Sequence, residues 1–236
     1  QMELILADLE TIEKRIEKVE KLAKVGDKDA RKTLELYHQI HEGLGKGVPA
    51  SAMPKHEDWD AFLADLHLLT AKKMLIVANI SEAILKTDGD LVRRLEEKAA
   101  AEGNRVIAIC GDLEAEIAEL PPEERTEFLK DMGLQESGLE KLIHAGYKLL
   151  DLITFYTTVG PELRAWTIPQ GTKAPKAAGK IHTDMERGFI RAEIVHYDDF
   201  IQLGGMHGAK ESGRVHAEGR DYTIQDGDIA HFRFNV

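Results

Sequence analysis

The sequence predicts an α/β protein with a helical hairpin ahead of its α/β part and a small α+β domain behind it. Three observations carry this. Two continuous apolar runs, Met74-Leu75-Ile76-Val77-Ala78 and Val106-Ile107-Ala108-Ile109, bracket a helical stretch, as parallel strands joined by a crossover require. Apolar positions Leu9, Ile12, Ile16, Val19 and Ala23 step by three and four, the period of an amphipathic helix. Beyond about residue 152, short segments of alternating polarity are separated by Gly, Pro and Asp turns.

The elements follow in order. In the first helix, Glu10–Lys14 and Glu17–Lys21 are i,i+4 pairs with the acid on the N-terminal side, the more favourable order. Gly26 stops the helix and Asp27 caps the next one, whose stripe is Ala30, Leu34, Tyr37 and Leu44, with Ile40 and His41 between. Two striped helices joined by a tight turn predict an antiparallel hairpin whose stripe is used inside the chain. Gly43 to Pro54 is a breaker, and a helix over 58–69 leads back toward the body. Strand 74–78, helix 91–101 and strand 106–109 form one strand–helix–strand unit, followed by helices over 113–120, 122–132 and 139–150, with Pro122 suited to a helix start. Two parallel strands do not make a stable sheet alone, so further strands are expected from residues not in this sequence. The C-terminal strands are expected at 152–158, 163–168, 189–195, 222–224 and 229–234, with short helices at 174–182 and 197–203.

Composition bounds the function. Hydrophobic residues make up 43% and charged residues 31% of the 236, a globular mix. No apolar run approaches the roughly 18 residues of a membrane span. The first residues lack a basic segment and a cleavage site, so no signal peptide is expected, and the single cysteine, Cys110, fits a reducing, cytoplasmic setting. The net charge of −11 is uneven: residues 160–236 hold 10 Lys and Arg against 11 Asp and Glu, and five of the ten histidines. The acidic remainder argues against non-specific nucleic-acid binding by the whole chain, so neither DNA nor a membrane is an expected partner.

The candidate chemistry lies at the carboxyl ends of the two buried-type strands, where open α/β sheets bind ligands. The first strand runs into Asn79-Ile80-Ser81-Glu82, and an Asn there offers both an acceptor and a donor to a base edge. The second runs into Cys110-Gly111-Asp112, where Gly111 permits close approach and a helix start directs free N–H groups at the same crevice. A strand-end loop with a helix cap accounts for the same residues. His38-x-x-His41 has helical spacing but no third ligand nearby, so a packed or solvated pair is expected. His182-Thr183-Asp184 reads as a polar turn, Trp166 as a core residue, and Arg187, Arg191 and Lys180 as a basic face.

Taken together, Glu3-Leu4-Ile5-Leu6-Ala7-Asp8-Leu9-Glu10-Thr11, Leu69-Thr70-Ala71-Lys72, Ala78-Asn79-Ile80-Ser81-Glu82 and Glu114-Ala115-Glu116-Ile117-Ala118-Glu119-Leu120 resemble the YchF family of Obg-like ATPases. So do Arg164-Ala165-Trp166-Thr167-Ile168, Ala177-Ala178-Gly179-Lys180-Ile181-His182-Thr183-Asp184, Arg187-Gly188-Phe189-Ile190-Arg191-Ala192 and Asp226-Gly227-Asp228 before Phe232-Arg233-Phe234-Asn235-Val236. The resemblance runs the whole chain in order. It implies a partial P-loop NTPase G domain with an inserted antiparallel coiled-coil arm and a C-terminal TGS (β-grasp-like) domain. The implied divisions are 1–68 for the arm, 69–150 for the remaining G domain with its base-recognition loops, and 151–236 for the TGS domain. It implies that Asn79, Ile80 and Glu82 form an altered base-recognition motif: Ile80 replaces a Lys that packs on the ring, and Glu82 replaces an Asp that reads guanine, which makes adenine acceptable. Cys110, Gly111 and Asp112 match the next loop, which packs on the base.

The departure from the family pattern is a missing phosphate loop. Gly-x-x-x-x-Gly-Lys-Ser/Thr occurs nowhere: Gly45-Lys46 is followed by Gly47, and Gly179-Lys180 by Ile181. Positioning and charge neutralisation make up nearly all of phosphoryl-transfer catalysis, so this polypeptide alone is expected to be inactive. The resemblance implies ATP or GTP with Mg²⁺ as ligands of the complete protein, the ribosome or ribosomal RNA as partner, a monomer, and a translation- or stress-related role. The alternative is a stand-alone adaptor that grips RNA or the ribosome with the arm and the C-terminal domain, nucleotide being irrelevant.

Overall fold

The computed structural model describes residues 1–54, 59–85, 89–159 and 162–235, without the side chains at 60–62, 64 and 159. Asp58 at the expected start of the third helix, the Gly160-Pro161 turn and Val236 lie outside the described residues. Two compact units divide the chain at Met74/Leu75.

The first unit is built on α1 (Met2–Lys24) and α2 (Lys28–Gly45). They run antiparallel: the Arg31 Nε–H donates to the Ala23 carbonyl at 3.5 Å, and His41 Nε2 lies 3.2 Å from Glu13 Oε1. Gly26 takes φ +100°, a conformation that costs glycine little, and Asp27 Oδ1 accepts from the Asp29 and Ala30 amides. The stripe closes on itself: Ile12, Tyr37, Ile40 and Leu44 are buried, and Leu9, Ile16 and Val19 pack against them. The third helix, α3 (Trp59–Leu66), adds Trp59 and Leu66 to this core. One buried carboxylate locks the base of the unit, with Asp8 accepting from the Leu69 amide (2.7 Å), the Thr70 amide (2.8 Å) and the Thr70 hydroxyl (2.7 Å).

The second unit begins with β1 (Leu75–Asn79), α4 (Glu82–Leu85), α5 (Asp90–Ala101) and β2 (Arg105–Ile109). β1 and β2 pair in parallel from Leu75↔Arg105 to Asn79↔Ile109. The buried-type composition of β1 predicts a covered strand, yet Val77 is exposed and Leu75, Ile76 and Ala78 are half-buried. Among the described residues β1 has one sheet neighbour, so its apolar face lacks the cover for which such a run is suited. Three helices follow: α6 (Gly111–Glu119), α7 (Pro122–Asp131) and α8 (Gly138–Leu149).

The remainder is a five-stranded mixed sheet, β4-β3-β7-β5-β6, with a helix pair on one face. Its elements are β3 (Leu152–Val159), β4 (Glu162–Pro169), α9 (Ala174–Ile181), α10 (Thr183–Arg187), β5 (Phe189–Val195), α11 (Tyr197–Gln202), α12 (Met206–Glu211), β6 (His216–Glu218) and β7 (Ile229–Phe234). Phe155, Ile168, Ala177, Ala178, Ile194 and Phe232 lie in its core, where Phe155 and Phe232 meet edge to face with ring centres 5.9 Å apart.

The expected strand at 222–224 is absent. Thr223 makes one bridge to Lys173, while the Tyr222 carbonyl and the Ile224 amide bond the loop that starts α9. The alternation there reflects burial of Ile224 (1% exposed), not membership of a ladder. In this C-terminal part three elements escaped the sequence reading, as α4 did in the preceding stretch. β6 is an edge strand without β-branched residues, registered only by Ala192↔Glu218 to Ile194↔His216. α10 and α12 are single short turns, and α12 contains Gly208, whose added Cβ would meet the Leu203 carbonyl oxygen at 1.9 Å.

Candidate purine-recognition site

Parallel pairing carries β1 and β2 to their carboxyl ends together. One further ladder bond, from the Ile80 amide to the Ile109 carbonyl at 2.9 Å, extends the register past Asn79. The two loops are therefore adjacent, and Asn79 Oδ1 accepts the Gly111 amide at 3.0 Å. This bond orients the carboxamide. The oxygen faces the start of α6, and Nδ2 retains both N–H donors, with no partner among the described residues. A Cβ on Gly111 would stand 3.3 Å from Asn79 Oδ1 and 3.4 Å from Nδ2, so a side chain there would press the amide aside by a few tenths of an ångström.

The remaining candidates divide. Asp112 and Glu82 are exposed, each in the first turn of its helix, and Ile80 is half-buried beside them. Cys110 is 3% exposed, and its side chain joins Leu113 and Ile117 against Phe128, Leu129 and Met132. Only its backbone is available to a ligand. The first turn of α6 carries the exposed Asp112, whose charge sits in the favourable field of that helix end.

Glu114 is a residue whose part the sequence reading missed. It accepts the Gly138 amide through Oε1 (2.6 Å) and the Leu139 amide through Oε2 (3.0 Å), tying α6 to the start of α8. Ser137 and Glu140 complete that start as a capping box, and the hydrogen bonds from the Ser137 amide and hydroxyl hold the Glu140 carboxyl below its usual range. Ser-x-x-Glu before an apolar stripe was the available signal. A cavity of about 660 Å³ lies nearby, lined by Ile84, Val92, Ile107, Ala108, Lys141 and His144, and it includes Ile80 but neither Asn79 nor Gly111.

The other predicted sites resolve into structural roles. His182 Nδ1 accepts the Asp184 amide at 3.2 Å, capping α10. Trp166 packs on the C-terminal core, and its indole N–H donates to Thr157 Oγ1 at 2.9 Å. Arg187 and Lys180 are exposed, whereas Arg191 is paired with Glu193 at 3.1 Å. In the C-terminal sheet the buried Asp228, like Asp8 in the first unit, takes three donors: His196 Nδ1 (2.9 Å), the Tyr222 hydroxyl (2.8 Å) and the Gln225 amide (2.9 Å). Burial first, and the bond to Asp228 second, push the Tyr222 phenol well above its ordinary range.

Residues 152–235 match a family model described as YchF-GTPase_C, a protein of unknown function (DUF933). The chain is 50% identical over 237 residues to the ribosome-binding ATPase YchF of Bacillus subtilis, covering all of this chain and 65% of that protein. It is 46% identical over 234 residues to the protein of that name from Escherichia coli O157:H7, covering 99% and 64%. The solved structure of the Schizosaccharomyces pombe YchF GTPase superposes with TM-score 0.82 at 29% identity, over 98% of this chain and 64% of that one. A GTP-binding protein from Pyrococcus horikoshii OT3 shares the fold at TM-score 0.51 and 20% identity, over 92% of this chain and 59% of that one. The parallel pair with its joined strand-end loops, followed by the mixed sheet, defines an α/β protein with the fold of YchF GTPase structures. More narrowly, the chain belongs to the YchF family, and it spans about 65% of the length of the curated relatives it matches.

Proposed function

We propose that this chain supplies the base-reading side of a nucleotide site in a ribosome-associated, cytoplasmic NTP hydrolase. The phosphate-binding side lies in the part of the relatives that this chain does not span. The observation that carries the reading is the Asn79–Gly111 hydrogen bond, which fixes one polar amide at the mouth of two adjacent strand ends. Oriented this way, Asn79 Nδ2 can donate to N7 of a purine. The second lone pair of Oδ1 can accept from the adenine 6-amino group and would repel the guanine 6-oxygen. Ile80 and the backbone at Cys110 and Gly111 flank the ring, and Glu82 and Asp112 stand at its edge. ATP is the favoured ligand on this chemistry, with GTP second. Mg²⁺ belongs with the phosphates, and no residue of this chain is assigned to it.

The domain reading follows: a coiled-coil arm over 1–68, the rest of a G domain over 69–150, and a β-grasp-like TGS domain over 151–236, acting in translation as a monomer. The relatives named as ribosome-binding ATPases support the partner. The adaptor alternative draws support from the self-contained core of the first unit, which needs no nucleotide to close. ATP titration of a polypeptide of the relatives' full length, with Asn79→Ala beside wild type, separates the two. At least about a tenfold loss is expected, in line with the roughly 1–3 kcal/mol cost of leaving one polar partner unpaired. Equal affinities remove the role of Asn79.

A further inference from the structure

The turn between α1 and α2 carries a charge pattern that helix stability does not explain. Residues 21–32 hold five cations, Lys21, Lys24, Lys28, Arg31 and Lys32, against Asp27 and Asp29, whereas the rest of the chain holds 26 Lys and Arg against 40 Asp and Glu. Lys21 and Lys24 end α1, where cations favour the helix dipole, and Arg31 donates to the Ala23 carbonyl. Lys28 and Lys32 have no such reason. They lie in the first turns of α2, the end at which a cation opposes the dipole, and no ion pair is formed by either among the described residues.

Apolar exposure at the same spot points the same way. Val25 is 87% exposed and Leu22 58%, beside Gly26, at the far end of a 23-residue helix about 34 Å long. A basic, narrow tip with a small apolar knob on a long rigid hairpin fits a groove lined by phosphates.

Resting on the ribosome-associated reading above, we infer that this tip is an RNA-docking surface, in which Lys21, Lys28 and Lys32 contact backbone phosphates and Val25 enters the groove between them. The partner is a folded polyanion. An acidic protein surface is the competing occupant, and the experiment separates it.

The test uses the whole 236-residue chain. Lys21→Glu/Lys28→Glu/Lys32→Glu is compared with Lys98→Glu/Lys130→Glu/Lys210→Glu, which changes net charge equally at exposed sites elsewhere. Binding to a short fluorescent RNA duplex is followed by anisotropy between about 50 and 200 mM salt, together with co-sedimentation on purified ribosomes. The tip variant is expected to lose at least about tenfold in affinity and about three units of log–log salt slope, with the control close to wild type. Circular dichroism checks folding. Lys28→Glu/Lys32→Glu alone is expected to melt higher than wild type while binding RNA less well, which a purely structural role would not produce.

Equal losses in tip and control variants would overturn the inference, as would undiminished RNA and ribosome binding by the tip variant, which leaves ribosome association itself intact. Loss of ribosome binding with unchanged RNA binding would assign the tip to a protein. Failure of the wild-type chain to bind either would defeat both the tip and the ribosome-associated reading.

Discussion

Replacing Asp228 by Ala tests whether one buried carboxylate organises the C-terminal sheet. Asp228 is 0% exposed, and its Oδ2 accepts both the Tyr222 hydroxyl and the Gln225 amide while Oδ1 faces His196 Nδ1. His196 has a half-exposed side chain and can rehydrate when its partner is lost. Tyr222 and Gln225 sit in part-buried bonds. Two stranded donors at about 1–3 kcal/mol each place the loss near 4 kcal/mol. Asp228→Asn should cost far less, about 1 kcal/mol. Its oxygen can occupy the Oδ2 position, and its amide can donate to His196 Nδ1 once the ring takes the other tautomer. Urea unfolding followed by Trp166 fluorescence, in a Trp59→Phe background, reads the two values. If Asn proves as damaging as Ala, or Ala costs under about 1 kcal/mol, the account of Asp228 as a satisfied acceptor for three donors is wrong.

Three further outcomes follow from the geometry. Ser137→Ala removes one side of the capping box that starts α8 and should cost about 1 kcal/mol in the same unfolding assay, with Glu140→Gln costing less because its side-chain oxygen can still accept. Gly111→Ala should leave stability within about 1 kcal/mol, since its backbone is not left-handed, yet weaken ATP binding by a full-length relative carrying it, because the new methyl crowds Asn79 at 3.3 Å; unchanged affinity would count against the site. The bond from Arg233 holds the Glu193 carboxyl below its usual range, with Arg191 assisting. A depressed folded value means stabilisation present above the unfolded value and lost as pH falls through the folded one. NMR titration should therefore show the Glu193 midpoint rising in Arg233→Ala, and that variant should lose less stability than wild type on acidification.

The candidate site was legible because its chemistry is local. Asn79 and Gly111 each follow an apolar run, and two such runs joined by a helix pair in parallel almost by necessity, so the meeting of their ends follows from the sequence. The capping at Asp27 and the stop at Gly26 were equally local. What could not be read was which way each side chain turns. Cys110 turns its thiol into a core that Leu113 and Ile117 share with Phe128, Leu129 and Met132, the last three lying 18 and more positions away.

Sequence alone determined the family, the helical hairpin, the parallel pair and most of the C-terminal strands, because periodicity, caps and motifs are properties of short stretches. Tertiary structure decided the rest. It replaced the strand expected at 222–224 with a single bridge, made an edge strand of His216–Glu218, and buried Asp228 under three donors. It also oriented the Asn79 amide through a glycine 32 residues downstream. Each of these depends on a partner far along the chain, and a buried polar group or an edge strand takes its identity from that partner rather than from its neighbours in sequence.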